Sequence, residues 1–400
     1  MATTDPSLLP GQPVAPDQAQ GAQIPLQSFN VPEFPPEAQG LKALTLTADI
    51  KMTEYQEELE KKSWSIPPLP QSIESLTLEL FSMGYPAGFL TALAQRLPNL
   101  KSLVVYSQLF AGITNESQKD AIEAFKTWKD LRALHLLDVF AKPHFFENIA
   151  PWVTYNTSEK EGEARRGLMF LEINYTFRHT DEDFMGKIQA PELPLLIGPG
   201  LISCSLNLSE PESAEDDPDD PTNVEGEPGK EGIMAFNKSL ADPLVEALTD
   251  EKTAPEGLRA LNTTLYTLTA EMLQKVLEVQ KNTMVLQATA EVEPGEDYKK
   301  KLLKALEVCK DLEQVEIIAN PSLQFFMEVQ NPRSGVMAKT FPAADDLDTL
   351  SKQCEKLSGF KANVLRTTSM GSVEWERKDG KWDGGVQLAN GVVATGQVSV

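Results

Sequence analysis

Three widely separated stretches of this 400-residue chain share one pattern of apolar residues. In each, an apolar residue and two further residues precede a leucine, and apolar side chains then follow at alternate positions. The stretches are LPNLKSLVVYSQLF (residues 97–110), WKDLRALHLLDVF (128–140) and CKDLEQVEIIAN (309–320). Because the same motif returns far along the chain, it predicts a protein built from repeated units.

The shared template is L-x-x-L-x-[L/I/V]. Its matches begin 25 to 37 residues apart, except for one interval of 55 that contains an acidic segment. Good matches start at Leu41, Ile73, Leu100, Leu131, Leu168 and Leu312, and degraded ones start at Ser203, Leu258 and Thr283. The alternation of apolar residues within the template is typical of a β-strand.

Helical periodicity fills several of the intervals between matches. Apolar residues lie three or four positions apart in GFLTALAQRL (88–97), QKDAIEAFKTW (118–128), AEMLQKVLEVQ (270–280) and YKKKLLKALEVC (298–309). A strand followed by a crossover helix leads to a parallel neighbouring strand. The sequence therefore predicts a parallel sheet with helices on its other side.

This pattern resembles the leucine-rich-repeat family in its long, ribonuclease-inhibitor-like form, and in particular divergent fungal F-box/leucine-rich-repeat-like proteins. The resemblance covers roughly residues 40 to 365. It implies an α/β fold, an irregular leucine-rich-repeat-like solenoid with a curved parallel sheet on one face and helices on the other. Most units lack the asparagine or cysteine that ordinary repeats carry after the third apolar position. The segment before the first repeat also lacks an F-box signature.

A globular α/β domain with leucine-rich strands is the alternative fold. A doubly wound nucleotide-binding fold is disfavoured, because no G-x-G-x-x-G or G-x-x-x-x-G-K-[ST] motif follows any predicted strand. After Lys361, alternating residues and a DG pair predict a last strand or hairpin that covers the end of the core.

Composition divides the chain into three parts. Residues 1–38 are rich in proline and glutamine and predict a disordered leader. Residues 39–383 form the predicted repeat domain, interrupted by an acidic, disordered insert at 209–232 with ten acidic residues and one lysine. Residues 384–400 are small and weakly patterned, which predicts a flexible tail.

Charge and targeting signals restrict the partners. The formal net charge of −23 argues against a nucleic acid or an anionic membrane, because both would be repelled. We find no secretory signal and no apolar run of the roughly 18 residues that a membrane span requires. We therefore expect a cytoplasmic or nuclear protein that binds neither nucleic acid nor membrane.

Groups suited to catalysis or metal binding are few. The three cysteines form no C-x-x-C pair, and the three histidines lie at positions without ligand spacing. The DDPDD run at 216–220 lacks the oxygen-ligand arrangement of a calcium loop. These observations predict no cofactor, no metal site and no catalytic residue.

A binding surface is the remaining possibility. If the template leucines point inward, the residues between them point to the concave face. Gln314, Glu316 and Ile318 would lie there, as would Ser75, Thr77 and Glu79. Equal template positions would align Val104 with His135 and Glu172, and Tyr106 with Leu137 and Asn174. The predicted protein-binding site consists of Val104, Tyr106, His135, Leu137, Phe170, Glu172 and Asn174. A register shifted by one residue would bury these side chains and expose the leucines instead.

The leading functional hypothesis is a non-enzymatic interaction module that binds a protein partner on this face. Two alternatives remain. The family resemblance implies a substrate-recognition subunit of a ubiquitin-ligase assembly, and an α/β fold permits an enzyme with a site scattered at the strand ends.

Overall fold

A computed structural model describes residues 21–61, 63–79, 83–154, 167–176, 187–209, 240–329, 331, 334–364, 372–387 and 393–394. The chain divides into two compact units. Unit 1 comprises Met1–Tyr175 and Asp183–Leu201, and unit 2 comprises Thr176–Glu182 and Ile202–Val400. In each unit strands and helices alternate along the chain, as the repeat pattern predicts.

Unit 1 contains strands that pair in parallel with their neighbours in chain order. They are β1 (Gly21–Leu26), β2 (Ala43–Ala48), β3 (Ser75–Glu79), β4 (Ser102–Tyr106), β5 (Ala133–Leu137) and β6 (Phe170–Thr176). The helices between them are α1 (Met52–Lys61), α2 (Phe89–Arg96), α3 (Asn115–Thr127) and α4 (Phe145–Val153), with short 3-10 helices at Pro36–Gly40 and Leu193–Leu196.

Unit 2 continues the same scheme and ends in antiparallel strands. Its parallel strands are β7 (Ser203–Ser209), β8 (Ala260–Leu268), β9 (Val285–Val292), β10 (Gln314–Pro321) and β11 (Gly359–Val364), followed by β12 (Ser372–Lys378), β13 (Lys381–Gln387) and β14 (Val393–Ala394). Its helices are α5 (Ala241–Thr249), α6 (Ala270–Val279), α7 (Glu296–Leu306), α8 (Leu323–Val329), α9 (Val336–Thr340) and α10 (Ala344–Leu350).

The template residues form the core, as predicted. The template residues within β2 to β6 are at most 1% exposed, and the helices bury their apolar faces. Leu97 and Trp128 end α2 and α3 as their C-caps, and both are buried. Alternation of apolar and polar residues thus produces the predicted α/β, solenoid-like arrangement, with one face of each strand covered by helices.

The hairpin predicted after Lys361 is present. Strands β12 and β13 are antiparallel, and Lys378 pairs with Lys381 across a two-residue turn. The turn residues Asp379 and Gly380 have φ values of 50° and 78°. Such positive values are those of the turn that Asp-Gly favours in hairpins, since its twist matches that of the strands.

The predicted disordered leader is wrong for residues 21–38. This segment contributes β1, which pairs with β2. Leu26, Phe29 and Val31 are at most 4% exposed, and the Phe29 ring packs edge-on against Tyr55 with centroids 5.9 Å apart. A few buried apolar side chains suffice here because the strand joins an existing sheet, whereas composition averages them with their polar neighbours. Residues 1–20 lie outside the described residues.

The predicted tail also begins too early. Strand β13 extends to Gln387, beyond the expected boundary at residue 384. Gly384 has a φ of 143°, and a Cβ there would collide with the carbonyl oxygen of Glu374 on β12. The glycines therefore permit close strand packing, although in sequence they look like a weakly patterned segment. Within the predicted acidic insert, Ser209 ends β7, and residues 210–232 lie outside the described residues.

Candidate functional site

The orientation of the strand side chains decides which residues form a surface in unit 1. On β4, Leu103 and Val105 are 0% exposed, and on β5 and β6 the corresponding template residues are at most 1% exposed. The intervening residues are half-buried or exposed. The predicted orientation is therefore confirmed, and the register shifted by one residue is wrong.

Strand pairing aligns the predicted residues in rows. His135 lies between Val104 and Glu172, and Ala133 pairs with Phe170. Leu137 pairs with Asn174. The ladder between β4 and β5 ends at Val105 and Leu136, so Tyr106 and Leu137 follow the last pair at the carboxyl ends of their strands. All seven predicted residues thus lie on one face of three neighbouring strands, which we call the β4–β6 patch.

Tyr106 is the most exposed apolar element of the patch. Its residue exposure is 43%, whereas Val104, Leu137 and Phe170 are half-buried. The Tyr106 ring lies beside the His135 ring, with centroids 6.3 Å apart and planes inclined at 47°. The two rings contact each other, and the Tyr106 ring is exposed to solvent.

A histidine and a carboxylate form the polar part of the patch. Nε2 of His135 lies 3.2 Å from Oε1 of Glu172. Within the part of the chain that the structure describes, this buried nitrogen has no aligned hydrogen-bond partner, so the two side chains are in close contact without a well-formed hydrogen bond. Burial raises the pKa of Tyr106, and the nearby charges of Glu79 and Glu172 raise it further. The phenol therefore stays protonated at neutral pH and can donate a hydrogen bond.

One neighbour of the patch was not included in the predicted site. Glu79, on β3, pairs in register with Tyr106. The strand alternation already placed Glu79 on this face, but only the pairing brings its charge beside the aromatic ring. We therefore include Glu79 in the electrostatic surroundings of the patch.

Unit 2 carries a different kind of outward surface. Asn262 donates from Nδ2 to Oε1 of Gln287 at 2.8 Å, and Gln287 donates from Nε2 to Oε2 of Glu316 at 2.9 Å. Oε1 of Glu316 accepts from Asn363 at 3.3 Å and lies 3.8 Å from Nζ of Lys361. These side chains use one another as hydrogen-bond partners across four strands. We therefore regard this row as a polar ladder that stabilises the sheet.

The sequence contained a signal for that ladder. Asn262 lies between Leu261 and Thr263, and Gln287 lies between Leu286 and Ala288, at the template position that Glu316 occupies in β10. Both belong to degraded matches, so only Gln314, Glu316 and Ile318 were assigned to the outward face in this region. Asn262 and Gln287 join them in register.

Other features of unit 2 bear on chemistry. An open groove is lined by Glu278, Lys281, Asn282, Val308, Lys310 and Asp311. It lies beside the turns that precede β9 and β10, at the amino ends of these strands, whereas parallel α/β sheets bind ligands at the carboxyl ends. Across the described ranges, no group of three or more His, Cys, Asp or Glu residues could hold a metal ion, and no helix is long and apolar enough to cross a membrane.

The chain was compared with protein-family models and with curated proteins, and neither comparison found a match. The resemblance to leucine-rich repeats therefore rests on the residue pattern described above.

Proposed function

We propose that this protein is a non-enzymatic interaction module that binds a protein partner through the β4–β6 patch. The observation that carries the proposal is the exposed Tyr106 ring, which lies among the half-buried Val104, Leu137 and Phe170 on one sheet face. Aromatic residues are enriched at the centres of protein interfaces because they bury a large area at a small cost in side-chain entropy.

The proposed setting is the cytoplasm or the nucleus. All three cysteines of the chain are free and buried, which is the usual state in a reducing compartment. The net charge of −23 favours a protein partner over nucleic acid or an anionic membrane. We also retain kinship with divergent leucine-rich-repeat proteins as a proposal, because alternating strands and helices are the architecture that this family would have.

The test is a binding measurement with a purified partner. Candidate partners are recovered by affinity purification, produced separately and titrated calorimetrically against the wild type and a Tyr106→Ala/Leu137→Ala variant. We expect the double variant to fold normally and to lose at least about tenfold in affinity, since interface anchors contribute 1 to 2 kcal/mol or more.

A matched control removes an exposed apolar side chain elsewhere. Ile113 is 49% exposed in the segment between β4 and α3, and Ile113→Ala should bind as the wild type does. Unchanged affinity of the folded double variant for every purified partner would remove the patch as the binding site.

A further inference from the structure

The charge around Tyr106 is unbalanced. The outward positions of β3 to β6 include two carboxylates, Glu79 and Glu172, and no lysine or arginine. His135 is the single basic side chain at these positions, and it carries a full charge only when it is protonated. The surface beside the exposed ring is therefore negative at neutral pH.

Both carboxylates retain unused hydrogen-bond acceptors. Among the described residues, the side chain of Glu79 has no hydrogen-bond or ion-pair partner. Glu172 has a side chain that is 45% exposed, and its Oε1 lies 3.2 Å from Nε2 of His135. Glu316 in unit 2 shows the opposite situation, since Gln287 and Asn363 occupy both of its oxygens.

Both carboxylates influence the hydroxyl group of Tyr106. Glu79 is the register partner of Tyr106 on β3, and the charges of Glu79 and Glu172 both raise the pKa of the Tyr106 hydroxyl. Glu172 Oε1 lies 3.2 Å from Nε2 of His135, whose ring is 6.3 Å from that of Tyr106, so the two carboxylates flank this pair of rings. The ring face and the two negative charges thus form one surface.

We propose that the partner presents an arginine next to an apolar residue, and that the guanidinium stacks on Tyr106 while it pairs with Glu172 and Glu79. This inference rests on the proposed function, because it specifies what the β4–β6 patch recognises. The apolar neighbour packs on Val104 and Leu137.

Arginine fits this surface better than lysine. Its guanidinium is planar, stacks on aromatic rings and donates several hydrogen bonds in fixed directions, so one group can serve both a ring and a carboxylate. A lysine ammonium is a point charge with a stronger hydration shell. The preference for arginine is therefore a consequence of geometry as well as of charge.

A peptide selection separates this inference from the proposed function. A phage library of random heptapeptides is selected on the full-length wild type, with counter-selection on the Tyr106→Ala/Leu137→Ala variant. Enrichment of peptides with arginine beside an apolar residue supports the inference. Enrichment of apolar peptides without arginine overturns it and leaves the proposed function intact. If no peptide binds the wild type in preference to the variant, both the inference and the proposed function are overturned.

Synthetic peptides then measure the contribution of each group. One selected peptide is compared with versions that carry lysine or citrulline in place of arginine, and citrulline preserves the shape without the charge. We expect Glu172→Gln and Glu79→Gln each to weaken binding of the arginine peptide roughly fivefold, the upper range for exposed ion pairs. Neither variant should weaken binding of the citrulline peptide.

Glu57→Gln is the matched control, because Glu57 is exposed on α1, outside the patch. Equal affinity for the arginine and citrulline peptides in the wild type would overturn the inference. An equal loss of affinity for the arginine peptide in the Glu57→Gln variant would also overturn the inference, because the loss would then reflect the overall charge of the protein.

Discussion

The carboxylate of Asp120, on α3, accepts a hydrogen bond from the backbone N–H of Leu90, in the first turn of α2, at 3.0 Å. Its other oxygen accepts from the N–H of Thr91, also at 3.0 Å. The N-cap of α2 is Gly88, which has no side chain to offer. A carboxylate from the next repeat therefore caps this helix and links two successive repeats.

Replacing Asp120 with alanine should destabilise unit 1. Asp120 is 7% exposed, so the variant leaves two N–H groups of α2 without their partner in a buried setting. We expect a loss of about 2 to 3 kcal/mol in the free energy of unfolding, measured by urea denaturation. Asp348→Ala, at an exposed position of α10, should change it by less than about 0.5 kcal/mol. A similar loss in both variants would contradict the capping role.

Replacing Trp128 with phenylalanine should be tolerated better than its burial suggests. Trp128 is 1% exposed and packs edge-on against Phe125 with centroids 5.8 Å apart. Its indole N–H has no hydrogen-bond partner among the described residues, so phenylalanine removes volume without breaking a hydrogen bond there. We expect a cost of about 1 to 2 kcal/mol for Trp128→Phe and about 3 to 5 kcal/mol for Trp128→Ala. Equal costs in denaturation experiments would show that packing of the ring is not the main contribution.

The three cysteines should resist alkylation in the folded protein. Burial raises the pKa of Cys204 and Cys309 to about 12 and that of Cys354 to about 11. The thiolate is the reactive form, so a buried, protonated thiol reacts slowly. At pH 8 we expect iodoacetamide to modify none of them within a time that labels all three in urea, as measured by mass spectrometry. Rapid modification of any one in the native protein would contradict its burial.

Tyr298 should make the protein sensitive to alkaline pH. Burial raises its pKa above the ordinary value, and Glu271 and Glu291 raise it further. Near pH 10 the unfolded chain loses the phenolic proton while the folded chain keeps it. The folded state then binds more protons, and stability falls as pH rises toward the folded-state pKa, by about 1.4 kcal/mol per pH unit for one group.

The Tyr298→Phe variant tests this linkage. The buried Tyr298 hydroxyl has no hydrogen-bond partner in the described ranges of the chain, so its removal should cost little at pH 7. Between pH 10 and pH 11 the stability of the wild type should decline by about 1 kcal/mol more than that of the variant, because the unfolded tyrosine is only partly ionised at pH 10. Identical slopes in urea denaturation would mean that Tyr298 does not titrate differently in the two states.

Pro25 should protect the sheet of unit 1 from pairing with another chain. The carbonyl oxygen of Leu26 accepts a hydrogen bond from the N–H of Asp49 at 2.7 Å, so the backbone polar groups of Leu26 face β2. In a parallel pair the backbone N–H and C=O groups of alternate residues face opposite neighbours, so the backbone nitrogen of Pro25 faces the outer edge of β1. A proline there offers no N–H to an added strand.

The Pro25→Val variant should therefore associate more readily than the wild type. We expect a concentration-dependent increase in mass by light scattering, with the monomeric fold retained at low concentration. Pro36→Val, at the start of a 3-10 helix, is the control and should not associate. If Pro25→Val stays as monodisperse as the wild type at high concentration, the edge is protected by something other than this proline.

Several structural features were predictable because they depend on neighbouring residues. Alternation within WKDLRALHLLDVF places Leu134 and Leu136 inside and His135 and Leu137 outside, and β5 follows this order. The Asp379–Gly380 turn was predictable for the same reason, since the turn conformation is a property of those two residues.

Features that join distant residues could not be predicted in this way. Nothing in the local pattern of Asp120 shows that it caps a helix 30 residues earlier in the chain. The Gly21–Leu26 segment becomes a strand because β2 supplies its hydrogen bonds and the nearby Phe29 packs against the rings of Tyr55 and Phe89.

The amino-acid sequence by itself determined the repeated pattern, the strands that carry it and the side of the sheet to which their residues point, because burying apolar side chains selects a single register. Only the tertiary structure decided which charged groups become neighbours. Strand pairing places Glu79 beside Tyr106 and Glu172 beside His135, while Glu316 is satisfied by Gln287 and Asn363. The physical reason is that electrostatic and hydrogen-bond energies depend on distances across strands, which the order of residues along one strand does not contain.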